Sequence, residues 1–134
     1  MTDDEVRAMF KRDIAPWVFE MGIELGQRTE TGMKFTLPPN ERLTRDGGII
    51  CGQALAALGD TVGVLTLVAH NDEERQLTTT NMGVQFLRPA MLGPLEMEVF
   101  IQSNGRRMAN LRVEFRSGDP AKLVAAANCS YAYL

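Results

Sequence analysis

Gly52 and Asp60 stand eight residues apart in the stretch Cys51–Val68, which is otherwise almost wholly apolar and holds no other charge. An ionised carboxylate buried among apolar side chains costs several kcal/mol unless it is paired or hydrogen-bonded. Asp60 is therefore either a satisfied structural group or a working acid, acting as a base on water or as a nucleophile. Gly52 falls in the first turn of a helix, where backbone N–H groups lack intrahelical acceptors and the macrodipole favours negative charge. Such an end can hold an oxyanion, and glycine lets a ligand approach the backbone; the same glycine could equally pack against a strand. At about 1.5 Å per residue, the two positions are about 12 Å apart along one helix. One carbonyl group cannot touch both. A site that uses both needs an antiparallel helix from a second copy, and hence a two-fold dimer.

Other candidates surround this pair. Thr78-Thr79-Thr80-Asn81 suits any strand, yet a hydroxyl or amide there could orient a water beside Asp60. Arg88, Arg106 and Arg107 sit at strand ends and turns, as solvated charge or as contacts to phosphate. Cys51 at the helix start has no obvious base to activate it. His70, the only histidine, is expected at the surface, where a cation complements the helix C-terminus. A single histidine rules out most histidine-dependent acid–base pairs and clustered metal sites. No phosphate-cradling glycine loop is present.

The elements that must position these groups follow from periodicity. Asp3-Asp4-Glu5 ahead of Val6, Met9, Phe10 and Ile14 predicts a short amphipathic helix, with Pro16 ending or redirecting it. Ile23–Arg28 and Met33–Leu37 read as strands around the turn Glu30-Thr31-Gly32. A loop with Arg45-Asp46-Gly47-Gly48 leads into the apolar helix. Beyond it come four strands. Thr78, Thr80, Met82, Val84 and Phe86 are expected to share one face of the first, which Arg88-Pro89-Ala90 closes. Leu95–Gln102 follows, then an Asn104-Gly105 hairpin signal. Ala109, Leu111, Val113 and Phe115 alternate with polar residues in the third, and an alanine-rich run, Leu123–Tyr133, ends the chain. A helix apolar on nearly every side needs cover all round. A curved antiparallel sheet supplies most of it and a second copy the rest, so an α+β fold and an obligate oligomer are expected.

Composition narrows the classes. The 134 residues, 45% apolar and 23% charged, fit one soluble domain over residues 1–134. A net charge of -3 argues against a nucleic-acid partner. Two cysteines, Cys51 and Cys129, make neither a disulfide framework nor a zinc site, which suits the reducing cytoplasm. The opening Met-Thr-Asp-Asp-Glu is unlike a signal or transit peptide. Residues 49–69 have the length of a membrane span, but Gln53, Asp60 and the glycines point to a core helix instead.

The block Gly47-Gly48-Ile49-Ile50-Cys51-Gly52-Gln53-Ala54-Leu55-Ala56-Ala57-Leu58-Gly59-Asp60-Thr61 resembles the hotdog-fold acyl-CoA thioesterases, as does Thr79-Thr80-Asn81-Met82-Gly83-Val84-Gln85-Phe86-Leu87-Arg88-Pro89-Ala90. The phenylacetate-degradation and 4-hydroxybenzoyl-CoA thioesterase branch is the most similar. The likeness runs from Ala15 to the C-terminus and includes Gly105-Arg106-Arg107. It implies a long helix wrapped by an antiparallel sheet, dimerised edge to edge and paired again into a homotetramer. The family's acid falls on Asp60, its oxyanion-hole glycine on Gly52 from the facing subunit, and its helper hydroxyl on Thr79, with Thr78 as the fallback.

The chain departs from the family at two places. Cys51 stands where many relatives carry histidine, and Arg45 where many carry Asn or Gln. The resemblance thus implies hydrolysis of an acyl-CoA thioester with no cofactor beyond the coenzyme A of the substrate. Arg45, Cys51, Thr78, Leu55, Phe86, Arg88, Arg106 and Arg107 are expected around that substrate, the acyl tail lying near Leu55, Leu58 and Phe86. The alternative is a hotdog protein that binds acyl-CoA without turnover. A hydratase would need histidine beside the acid, and His70 lies in no suitable place.

Overall fold

The computed structural model describes residues 1–134. Its axis is α3, Gly52–His70, nineteen residues long. By composition this helix could cross a membrane, but 67% of its apolar window is buried inside the fold. The cover is a six-stranded antiparallel sheet built from β1 (Glu24–Arg28), β2 (Gly32–Leu37), β5 (Leu77–Phe86), β6 (Leu95–Asn104), β7 (Met108–Ser117) and β8 (Lys122–Tyr133). The spatial order is β1-β2-β6-β7-β8-β5, which leaves β5 and β1 as edges. Strand alternation sends Phe35, Met97, Val113 and Tyr131 inward, all essentially sealed from solvent. The α+β architecture is the expected one, with helix α3 lying in the curve of the sheet.

The glycines of α3 set how closely it lies on that sheet. A Cβ on Gly59 would stand 3.1 Å from both Met82 Cε and Phe115 Cζ, and one on Gly63 only 2.3 Å from the Tyr131 hydroxyl. Each glycine weakens the helix by roughly 1 kcal/mol relative to alanine, and closer burial of large side chains offsets that. Ala125 and Ala127 on the inner face of β8 leave the depth that α3 occupies.

Two further elements bracket the helix. At the N-terminus, α1 (Asp3–Asp13) is capped by Thr2, whose hydroxyl accepts the Glu5 N–H at 3.2 Å, and buries Val6, Met9 and Phe10. A short turn of helix, α2 (Pro16–Phe19), follows with Pro16 in its first turn, and Phe19 meets Phe10 edge to face at 5.0 Å. Ahead of α3, a two-residue ladder pairs β3 (Thr44–Arg45) with β4 (Ile49–Ile50). Gly47 and Gly48 turn the chain between them at positive φ, 79° and 71°. This ladder is too short for periodicity to reveal, and it anchors the helix start. The Cys51 N–H donates to Leu43 O at 2.9 Å, and the Ile50 N–H to Ala90 O at 2.8 Å.

The sheet leaves part of α3 uncovered. Gln53, Ala56, Ala57, Asp60 and Val64 are the more exposed positions between its buried ones, and their three-and-four spacing makes them one stripe. The neighbouring edge strand β5 is exposed over most of its length.

Candidate active site

Asp60 lies on the open stripe rather than in the core. The expectation of a carboxylate sunk among apolar side chains is corrected by the sheet, which stops short of this side of the helix. Its Oδ1 accepts a hydrogen bond of 2.7 Å from the Thr79 hydroxyl. The hydroxyl of the adjacent Thr61 does not reach the carboxylate but donates back to Ala57 O at 2.7 Å. The second carboxylate oxygen is left free of side-chain donors.

Thr79 reaches Asp60 because β5 carries a bulge. Thr79 pairs with Tyr131 and Asn81 with Ser130, so Thr80 has no partner of its own. The extra residue reverses the alternation. Thr79 therefore joins Met82, Val84 and Phe86 on the helix-facing side, and Thr78 takes the opposite face. The expected shared face of Thr78 and Thr80 with Met82 is overturned, and Thr78 cannot serve as the fallback hydroxyl.

Tyr131 holds the same residue from its other end. Its hydroxyl donates to the Asp60 backbone carbonyl at 3.0 Å, passing over the bare Cα of Gly63. Burial, with the nearby Cys129 and Asp60 adding to it, keeps the Tyr131 phenol well above its ordinary pKa, so it stays a donor. Burial likewise pushes the Cys129 thiol up to about 11. Sequence reasoning missed Tyr131. The signal was a glycine three residues after the acid, facing an aromatic on an alanine-rich strand.

At the other end of this stretch, Cys51 is the N-cap residue and Gly52 opens the helix. The Gly52 N–H has no acceptor within the chain, as the first turn of a helix dictates. The Phe86 ring lies over it, 3.3 Å from where a Cβ would stand. Arg45, Gly52, Leu55, Phe86 and Arg88 together line one open cleft of about 290 Å3. Leu58, by contrast, is fully buried against the sheet and lines no part of it. Half-buried Cys51 packs against the core behind the cleft. A separate furrow of about 400 Å3 begins at Thr79 and runs between α1 and the open stripe past Val64, Val68, Leu77, Met9 and Ile14.

Arg106 and Arg107 are not brought to the cleft. They belong to the β6–β7 hairpin, beside the far end of α3, where Asn104 Nδ2 donates to Asn71 Oδ1 at 3.0 Å. The helix puts about 27 Å between that end and Gly52. His70 is not a surface residue as expected. It is half-buried, with Nε2 2.7 Å from Gly32 O, because α1 and the β1–β2 turn fold over the end of the helix.

Comparison with known proteins bears on this arrangement. The thioesterase superfamily model matches residues 47–124, a span that holds Gly52, Asp60, Thr79 and Arg88. A candidate esterase of Thermoplasma acidophilum is 28% identical over 96 residues, covering 72% of each chain. A thioesterase structure from Haemophilus influenzae has a TM-score of 0.86 at 19% identity, over 100% of this chain and 91% of that one. A candidate thioesterase of Ralstonia eutropha, described as phenylacetic acid degradation-related, has a TM-score of 0.78 at 25% identity, over 93% of this chain and 97% of its own. The shared fold is the hotdog.

Proposed function

The chain belongs to the thioesterase superfamily, whose reaction is thioester hydrolysis, and we propose that its substrate is an acyl-CoA, cleaved to a free acid and coenzyme A in a site shared by two copies. The observation that carries this reading is the pairing of a half-exposed, Thr79-bonded Asp60 with an unpartnered Gly52 N–H on one helix. The two are about 12 Å apart in one chain, so a two-fold partner laid antiparallel along the open stripe is what joins them. The exposed β5 edge beside that stripe offers the partner a strand to pair with. A tetramer would pair two such dimers.

The chemistry then follows from charge. The thioester carbonyl points at the Gly52 N–H, where the amide and the helix dipole stabilise the oxygen as it becomes anionic. Asp60 of the other copy takes a proton from water as the water oxygen bonds to the carbonyl carbon, or attacks that carbon itself to form an anhydride that water then opens. In either route the C–S bond breaks, the coenzyme leaves as a thiolate, and a proton from Asp60 or solvent restores the thiol. Thr79 fixes the carboxylate rotamer and leaves one oxygen free to react. The acyl group rests on Leu55 and Phe86, and Arg45 and Arg88 face the outer part of the ligand. Carboxylate, water and amide supply each proton and charge needed, so the step calls for no metal or cofactor.

Complementation tests both the chemistry and the sharing. Asp60→Asn removes the base. Gly52→Pro removes the N–H at a first-turn position where proline is tolerated, and the extended backbone of Cys51 (φ -69, ψ 151) suits a following proline. Each variant alone should release no thiol from a panel of acyl-CoAs. Mixed, denatured and refolded together, they should recover about one quarter of wild-type activity, because half the dimers are hybrid and each hybrid holds one intact site. Full activity of Asp60→Asn refutes the mechanism; no recovery on mixing refutes the shared site.

A further inference from the structure

Thr79 bonds Asp60 and also lines the furrow of about 400 Å3, so the furrow opens at the candidate reacting carboxylate. Its walls are Val64 and Val68 of α3, Leu77 of β5, and Met9 and Ile14, from α1 and its C-cap. None of these five side chains is aromatic, and none can donate a hydrogen bond. The charged groups at the rim are already engaged. Arg12 holds Asp13 at 2.7 Å and Glu74 at 2.6 Å, which ties α1 to the connection between α3 and β5. Arg75 lies over the Tyr133 ring at 3.4 Å and donates to Gly105 O and Arg106 O. An apolar path whose bordering charges are spent suits a hydrocarbon; an anion or a hydroxylated ring would be buried there without partners.

We infer that this furrow receives the acyl chain beyond its first carbons, that the chain is aliphatic, and that α1 sets how long it can be. The inference rests on the acyl-CoA reading above and narrows it to alkanoyl thioesters. Leu55 and Phe86 of the other copy take the carbons next to the carbonyl, and the furrow takes those farther out. Val64 stands about one turn past Asp60 and Val68 about two, about 6 and 12 Å along the helix. With C–C bonds of about 1.5 Å, an extended alkyl chain advances about 1.3 Å per carbon. It therefore passes Val64 after about five carbons and Val68 after about nine. Farther on it meets the bridge from Asp13 through Arg12 to Glu74, where added methylenes lie against charge and gain nothing.

Thiol release from a panel of straight-chain acyl-CoAs, acetyl to tetradecanoyl, with benzoyl-CoA and phenylacetyl-CoA beside them, tests this. In wild type kcat/KM should rise by about fourfold per added methylene, the worth of one buried CH2, and level off near decanoyl. Both aromatic thioesters should fall below octanoyl-CoA. Val64→Phe narrows the furrow one turn from Asp60 and should cut the decanoyl-to-butanoyl ratio of kcat/KM by about a hundredfold. Ile14→Asn, farther along and without added bulk, should cut it by about tenfold. A profile flat in chain length, a preference for the aromatic thioesters, or a ratio unchanged in the folded variants overturns the inference. If wild type cleaves none of the panel, the hydrolytic reading fails, and calorimetry with decanoyl-CoA and butanoyl-CoA decides the furrow separately. Tighter binding of decanoyl-CoA that is lost in Ile14→Asn upholds it; equal binding of the two ligands overturns it.

Discussion

Replacing Gly63 by alanine pits helix propensity against packing, and the structure says which wins. On propensity alone the change favours the helix by roughly 1 kcal/mol. The new methyl, however, would stand 2.3 Å from the Tyr131 hydroxyl, 3.1 Å from its Cζ and 3.2 Å from Leu111 Cδ1. Overpacking of this kind costs about 1–3 kcal/mol, and the displaced hydroxyl gives up its bond to Asp60 O, worth about 1 kcal/mol more. The net expectation is a loss of about 1–3 kcal/mol in urea denaturation. Tyr131→Phe alone should cost about 1 kcal/mol. The double variant carries the discriminating result. Removing the hydroxyl removes the nearest clash, so Gly63→Ala in the Tyr131→Phe background should cost at least about 1 kcal/mol less than in wild type, a clear departure from additivity. A neutral or stabilising Gly63→Ala, or additive energies in the cycle, would refute the close approach of helix to sheet.

Other outcomes follow from the same coordinates. Thr79→Val should lower kcat by about tenfold to a hundredfold, the worth of one hydrogen bond to a charged group, while Thr79→Ser should keep most activity; steady-state thiol release separates them. In the native protein at pH 8, a thiol reagent should leave Cys129 unmodified, because burial holds its pKa near 11; unfolding should expose a second reactive thiol. Glu114 is pushed up by burial, but hydrogen bonds from Arg112 and Arg116 outweigh this and leave it below its ordinary 4.5. Its ionised form is therefore favoured by folding, so it contributes stability above pH 4.5 that is lost as acid titrates the folded state. Glu114→Gln should show a shallower loss of stability below pH 4.5, measured by urea midpoints across the acid range.

Much of the fold was legible because its signals are local. Cys51–Val68 is too apolar to be anything but a core helix, and Ala109–Phe115 alternates cleanly enough to fix its inner face. The placement of Gly52 and Asp60 on one helix was legible as well, since helix pitch alone sets their spacing. Thr79 was harder. Periodicity chose Thr78 and Thr80 for the inner face, and only the resemblance pointed to Thr79. A bulge is a mismatch between two strands, here Thr79–Asn81 against Tyr131–Ser130, so neither strand shows it alone. Tyr131 escaped notice for a related reason. Its partner is a backbone carbonyl 71 residues away, and a carbonyl leaves no trace in the residue type. Arg106 and Arg107 matched a motif, yet within one chain they stand at the end of α3 away from Gly52, a matter of three-dimensional placement.

Thr79 and Tyr131 are cross-strand neighbours, and between them they grip Asp60 by its side chain and its backbone. The separation of those two handholds works as a ruler, and an aspartate is the length it measures. A glutamate in its place would carry its carboxylate about 1.5 Å farther out, past the threonine, while the tyrosine still pinned the main chain. The sheet, not the helix that bears it, dictates which acid this position accepts.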